Sequence, residues 1–437
     1  MKTINLNKKR MSIKLQRLLI FMTAIMLATM TFTACGDDEG GGNSGKGKVW
    51  VDKKGGKTQT FANLDAAFLP ILQSGPGEYT VRIGENQHIT SNFNFFTSKD
   101  QKITLKAESG TVEITRSSDL GEHFSVSLES TLIIDKGIIL KGSGDDYYYN
   151  DYAIFVDLKG KLIMNEGAKL TNFGGSAIFL CRDAFFEMNG GIICDNINWG
   201  VSTDNEWDGQ VFIMNGGTIS DNGNNSGSGT SGVHIGQGTF TMNDGLISGN
   251  KAGGVVVYNN GGKFIMKKGR IINNRIKYYG SSGGGVGILY GTFIMDGGEI
   301  SGNEATDGGG VSVVHASFIM NGGTISGNKA ESWGGGVFVA GDNSSFTMNG
   351  GVIAGNTSER FGGGGVGLYS EATFTKTGKS IIYGENGGTN ANKTLTGTGH
   401  AAHVNTVPYS TKRDLTAGEG VVMRWGANGN TKEGWDN

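Results

Sequence analysis

The sequence predicts an all-β fold: a single-stranded right-handed parallel β-helix solenoid with a short N-terminal capping helix. Three observations carry that expectation. A degenerate repeat of about 27 residues runs through most of the chain. Apolar residues alternate with period two inside each repeat. The 437 residues include 77 glycines and only three prolines. Glycine without a collagen period, set between regular apolar positions, marks tight corners joining short strands.

Taken in chain order, the N-terminus comes first. Lys8, Lys9, Arg10, Lys14 and Arg17 form a basic region, and Leu18 to Phe32 is apolar up to Phe32-Thr33-Ala34-Cys35. A basic start, a short apolar core and small residues before a cleavage point describe a secretory signal rather than a membrane span. The segment resembles the lipobox of bacterial lipoproteins, with Phe32 where Leu is usual. The resemblance implies that residues 1–34 are removed and that Cys35 carries the lipid. Gly36-Asp37-Asp38-Glu39 and the run GGGNSGKGK make residues 35–48 a flexible linker. The acidic patch is similar to the signal that places some Gram-negative lipoproteins on the outer face. A lipid-anchored, surface-exposed place on the outer membrane is expected. The alternative is an ordinary signal peptide followed by a soluble linker.

Residues 49–110 read as the N-terminal cap and first coils. Phe61, Leu64, Phe68 and Ile71 recur at helical spacing and predict a short amphipathic helix over the open end. TVRI from 80 and ITLKA from 103 begin the stack. Residues 111–390 hold the repeats. FEMNGGIICDN starts at 186, FIMNGGTISDN at 212, FTMNDGLISGN at 240 and FIMKKGRIINN at 264. FIMDGGEISGN at 293, FIMNGGTISGN at 318 and FTMNGGVIAGN at 346 follow, with weaker copies at Leu132, Leu162 and Phe374. A variable loop and a second alternation follow each full copy, as in Val311-Ser312-Val313 or Val337-Phe338-Val339. One unit therefore reads as three short strands and their corners. Residues 391–437, with HAAHV from 400 and VVMRW from 421, read as the last coil and C-terminal cap.

Alternation assigns the faces. Phe318 and Met320 point inward and Ile319 outward; Asn321-Gly322-Gly323 turns the chain; Ile325, Val337 and Val339 point inward again. One such coil cannot bury its apolar atoms alone, whereas stacked coils can. Asn222, Asn250, Asn303, Asn328 and Asn356 would then form an amide ladder. A β-propeller blade needs about 40 residues or more, so the period is too short for one.

The Phe-Ile-Met-Asn, Gly-Gly-Thr-Ile and GGGV elements resemble those of adhesin-like β-helix surface proteins and polymorphic outer membrane proteins. More broadly, residues 50–437 resemble the pectin-lyase-like superfamily. That fold carries lyases, hydrolases, adhesins and plain stalks, so the resemblance implies a fold rather than an activity. Unlike the autotransporter members, the sequence has no barrel-sized segment before Asn437, and a lipid anchor is expected instead.

Composition narrows the partners. Residues 1–34 hold six basic and no acidic side chains, so the 38 basic residues fall to 32 against 40 acidic ones. Such a surface does not suit nucleic acid. Cys181 and Cys194 lie on different sides of a coil and are expected to be free thiols. His400 and His403 would face opposite sides of a strand. His234 lies between two inward residues and is expected outside. A monomer is expected, with no cofactor.

Two groups of residues could carry function. Polysaccharide lyases of the resembled superfamily hold calcium with clustered carboxylates and use Arg or Lys as base. Asp157, Cys181 and Asp204 fall at equivalent places in successive coils. Asp183 and Glu206 come two residues later, with Arg182 and Asp208 beside them. Oxygen ligands of that kind suit Ca2+, required only under this lyase reading. The plainer reading is a solvated corner of an acidic protein. The second group is aromatic. Tyr147, Tyr148 and Tyr149, then Phe173, Trp199, Tyr278, Tyr279, Trp333 and Phe361 lie in the variable loops. On adjacent coils they would line one edge, a platform for sugar faces or a surface protein. Alternatively each ring covers its own corner. Repeats close to consensus favour a non-catalytic, adhesin-like binding module over a calcium-dependent lyase or another carbohydrate-active enzyme.

Overall fold

The computed structural model describes residues 48–424 apart from 92, 96–99, 118–120, 145–151, 225–229, 277–282, 371, 378–379, 385–387, 396–401, 405–413 and 416–420. One turn of the repeat shows how it is built. Ser317–Met320, Thr324–Ser326 and Val337–Ala340 are three strands, each hydrogen-bonded in parallel to its counterparts in the turns above and below. About ten such turns make a right-handed-type parallel β-solenoid. The first sheet has sixteen strands; the second and third have twelve each.

The inward residues are those the alternation assigns. Phe318, Met320, Ile325, Val337 and Val339 are fully buried. Because coils stack at the strand spacing, like side chains meet like. Phe186, Phe212, Phe240, Phe264, Phe293, Phe318, Phe346 and Phe374 form one column, with ring centroids 4.4–4.8 Å apart. Gly323 turns the corner with φ +87°, and a Cβ there would meet Met295 Cε at 2.6 Å. Both the backbone and the packing therefore require glycine.

The asparagine ladder is longer than the five positions singled out above. It runs Asn196, Asn222, Asn250, Asn274, Asn303, Asn328, Asn356, Asn392, each Nδ2 donating to the next Oδ1 at 2.7–3.0 Å. These amides are buried, so the ladder satisfies polar groups that would otherwise be stranded.

Both ends of the stack are covered. The helix α1, Leu64–Gln73, is capped by Asn63, whose side chain accepts from the Ala66 N–H at 2.9 Å. It buries Leu64, Phe68 and Ile71, with Phe68 stacked on Phe93 at 4.6 Å. Phe61 is not part of it; it ends the strand Thr58–Phe61. At the other end, Val421–Arg424 pairs antiparallel with Thr373–Lys376 and covers that open strand edge. Among the described residues no helix is long and apolar enough to cross a membrane.

Two expectations need correction. The unit is not always three-stranded. Glu304–Asp307, Lys329–Trp333, Thr357–Ser358 and Lys393–Thr394 form a fourth parallel sheet within what reads as loop. The glycine runs that follow are also more than corners. Gly308, Gly309 and Gly310 donate to the carbonyls of Trp333, Gly334 and Gly335 in the next turn at 2.9–3.2 Å. A Cβ on Gly310 would lie 2.5 Å from the Gly336 carbonyl oxygen, so only glycine stacks this closely.

Candidate functional site

The corner between the third and first sheets is where the chain leaves its Val-x-Val strand. Along the stack it carries Leu128, Leu158, Arg182, Trp207, Tyr258, Tyr290, His315 and Tyr369, with Gln237 and Asn343 in the two turns between that lack a large side chain. Left-handed residues turn the chain here, including Tyr290 (φ 67°), His315 (φ 49°) and Ser370 (φ 61°). Among the described residues nine large apolar side chains are exposed, and five of them, Leu128, Trp207, Tyr258, Tyr290 and Tyr369, lie on this corner. The Tyr290 and His315 rings stack at 5.4 Å. This exposed row is largely aromatic, and it follows the third strand rather than preceding it.

Among the described residues the proposed loop aromatics do not form one edge. Tyr148, Tyr149, Tyr278 and Tyr279, with Tyr147, lie outside the described residues. Phe173 is fully buried. It stands three residues after the inward Leu170, where other turns place the ladder asparagine, and its N–H donates to Asn196 Oδ1 at 3.0 Å. Trp199 is half-buried, with its ring 5.3 Å from that of His234. His234 does point outward but is covered by Trp199 and Tyr258, leaving it buried. Burial pushes its imidazole down to about 4. Trp333 and Phe361 are brought together, stacked at 5.3 Å, with Tyr369 6.0 Å from Trp333.

That three-ring group sits where the fourth sheet meets the corner. Asp307 and Trp333 are register partners on adjacent strands, and the Trp333 N–H donates to Asp307 Oδ1 at 3.2 Å. Burial holds the Asp307 carboxyl above its ordinary range, and Glu331 adds to the effect.

The carboxylate cluster is arranged differently from its sequence register. Asp157, Cys181 and Asp204 do follow one another in successive turns. Arg182, however, pairs with Asp157 through Nε at 2.9 Å and through Nη2, and lies 5.7 Å from the Trp207 ring centroid. Its charge is thereby engaged. Asp183 faces Gly209 rather than Glu206, because the corner from Asp204 to Gln210 is three residues longer than the one below it. Asp204 accepts the Glu206 N–H at 2.6 Å, and the Asp208 carbonyl accepts the Asp183 N–H at 3.4 Å. Among the described residues no group of three or more His, Cys, Asp or Glu is placed to hold a metal ion. Burial pushes the Cys181 thiol up to about 12, so it stays protonated, and Cys181 and Cys194 are both free.

Beside the Arg182–Asp157 pair lies a depression of about 280 Å³ lined by Leu128, Glu129, Leu158, Lys159 and Asp183. All five have positive φ, from 46° to 64°. Leucine in that region is strained.

No known protein family, curated protein or solved structure matches the chain. The coil geometry alone therefore supports the fold.

Proposed function

We propose that this chain is a non-catalytic surface module, lipid-anchored through Cys35 at the outer membrane, that binds an extended glycan. The observation that supports it is the concentration of exposed aromatic and apolar side chains on one corner. Soluble surfaces rarely gather such groups without a partner. Coils rise about 4.8 Å each, so rings on successive or alternate turns can stack on the faces of an extended sugar chain laid along the rod. Gln237, Asn259 and Asn343 on the same corner supply amides for hydroxyl groups. A surface protein with an apolar ridge is the other occupant this corner would suit. Titrating the detergent-solubilised full chain against a polysaccharide panel tests the proposal, and no binding to any member would remove it.

A calcium-dependent lyase reading draws on a separate feature, the strained depression beside Arg182. Strain of this kind gathers at functional sites. That reading requires unsaturated sugar products, formed with Ca2+ and lost without it.

A further inference from the structure

On the outward face of the fourth sheet some charges are paired and some are not. Arg275 is bonded to Glu304 at 2.9 Å, and Lys329 to Glu359 at 2.7 Å. Asp307 and Glu331 have no cationic partner among the described residues. Asp307 is half-buried, and its one polar contact among the described residues is the Trp333 N–H. Leaving a partly desolvated carboxylate without a counter-charge is unfavourable, so such groups are normally paired.

What surrounds it is aromatic. Trp333 is the register partner of Asp307 on the next strand, so both side chains leave the sheet on the same side. The Trp333 ring stacks on Phe361, which is 52% exposed, and has Tyr369, 44% exposed, tilted against it. Glu331 is on the same face, two residues before Trp333. Rings with accessible faces next to unneutralised carboxylates attract a cation through the ring quadrupole as well as through charge. An alkylammonium group suits this arrangement better than a hydrated metal ion, because its methylene or methyl groups can cover the rings.

We propose that Asp307, Trp333, Phe361 and Tyr369 form a receptor for an organic ammonium group. The inference does not depend on glycan binding along the corner. Two sources share this chemistry: a quaternary ammonium such as choline, and the amine of an amino sugar.

The test is calorimetric titration of the detergent-solubilised full chain with choline and with glucosamine. Their uncharged twins are 3,3-dimethylbutanol and N-acetylglucosamine. Saturable binding of choline or glucosamine, at least tenfold tighter than that of its twin, is expected. Choline alone would assign a quaternary group, glucosamine alone an amino sugar, and both the shared chemistry. Asp307→Asn keeps an oxygen to accept the Trp333 N–H and removes only the charge, so it should weaken binding at least tenfold with an unchanged circular dichroism spectrum. Trp333→Ala should do the same. Equal binding of a cation and its twin, full affinity in Asp307→Asn, or no saturable binding of either cation would overturn the proposal.

Discussion

Asn303 is tied to Asn328 twice: its backbone N–H and its side-chain Nδ2 both donate to Asn328 Oδ1, at 3.0 and 2.9 Å. A second Nδ2 bond reaches the Ile271 carbonyl at 2.9 Å, one turn away in the other direction. One amide therefore links three neighbouring turns, and the pattern repeats along the rod.

Asn303→Leu should accordingly be damaging. It removes both Nδ2 bonds and leaves the Asn274 N–H and Nδ2, which donate to Asn303 Oδ1, without an acceptor. Stranding buried donors costs about 1–3 kcal/mol each, so a loss of roughly 2–5 kcal/mol is expected in urea unfolding. Asn321→Ala, in the exposed outer row, should stay within about 0.5 kcal/mol. Comparable losses at both sites would refute a special role for the buried ladder.

The facing of the strands is tested by a neighbouring pair. Ile325 is fully buried and Thr324 is not. Ile325→Asp should cost several kcal/mol through an unpaired internal carboxylate, and Thr324→Asp should be nearly neutral. Equal melting temperatures for the two variants would contradict the register.

These two sites also show what the sequence could reveal. Phe318, Met320, Ile325 and Asn328 recur at fixed offsets, and coil stacking turns each offset into a continuous column. Periodicity alone therefore locates the core. Phe173 was legible by the same counting, since it falls three residues after Leu170 at the ladder position, yet an isolated aromatic in a variable loop looks exposed. Tyr258 and Tyr290 gave no such signal. Tyr290 is itself left-handed at its corner, and the exposure of both depends on what covers each ring. The fourth sheet escaped because its strands are two to five residues long and bulged between Ala305 and Asp307.

A pH dependence follows from the covered imidazoles. Burial lowers His234 to about 4 and His123 to about 3, against about 6.5 in an unfolded chain. Above pH 6.5 both are neutral in either state and no stability is lost. As the pH falls below 6.5, the unfolded state takes up protons first, so stability declines until the folded-state values are reached. Thermal midpoints should therefore drop between pH 6.5 and 4, and His234→Gln should flatten part of that slope. An unchanged pH profile in the variant would mean that His234 is solvated in solution.

Anchoring is tested at Cys35. Without a thiol to lipidate, Cys35→Ser should leave the membrane fraction of cell lysates and appear in the soluble one. If the variant still sediments with membranes, something other than the lipid holds it there. Protease digestion of intact cells then reports whether the wild type faces outward.

Binding and catalysis separate along the corner itself. Trp207 is 46% exposed and Tyr290 48% exposed, and neither fills the core. Trp207→Ala and Tyr290→Ala should each weaken glycan binding by roughly 1 kcal/mol, about fivefold, with little change in stability. Arg182→Ala distinguishes the readings because its guanidinium does two things at once. It neutralises the buried Asp157, and it lies under the Trp207 ring. Under the binding reading its loss costs stability, since Asp157 is left buried without a counter-charge, and affects affinity only through Trp207. Under the lyase reading it abolishes unsaturated products while ligand still binds. Affinity, unfolding free energy and product absorbance for the three variants, measured on one polysaccharide, tell these outcomes apart. An Arg182→Ala protein of normal stability that has lost product formation would favour the enzyme, and a destabilised one from a chain that never forms product would favour the binding module.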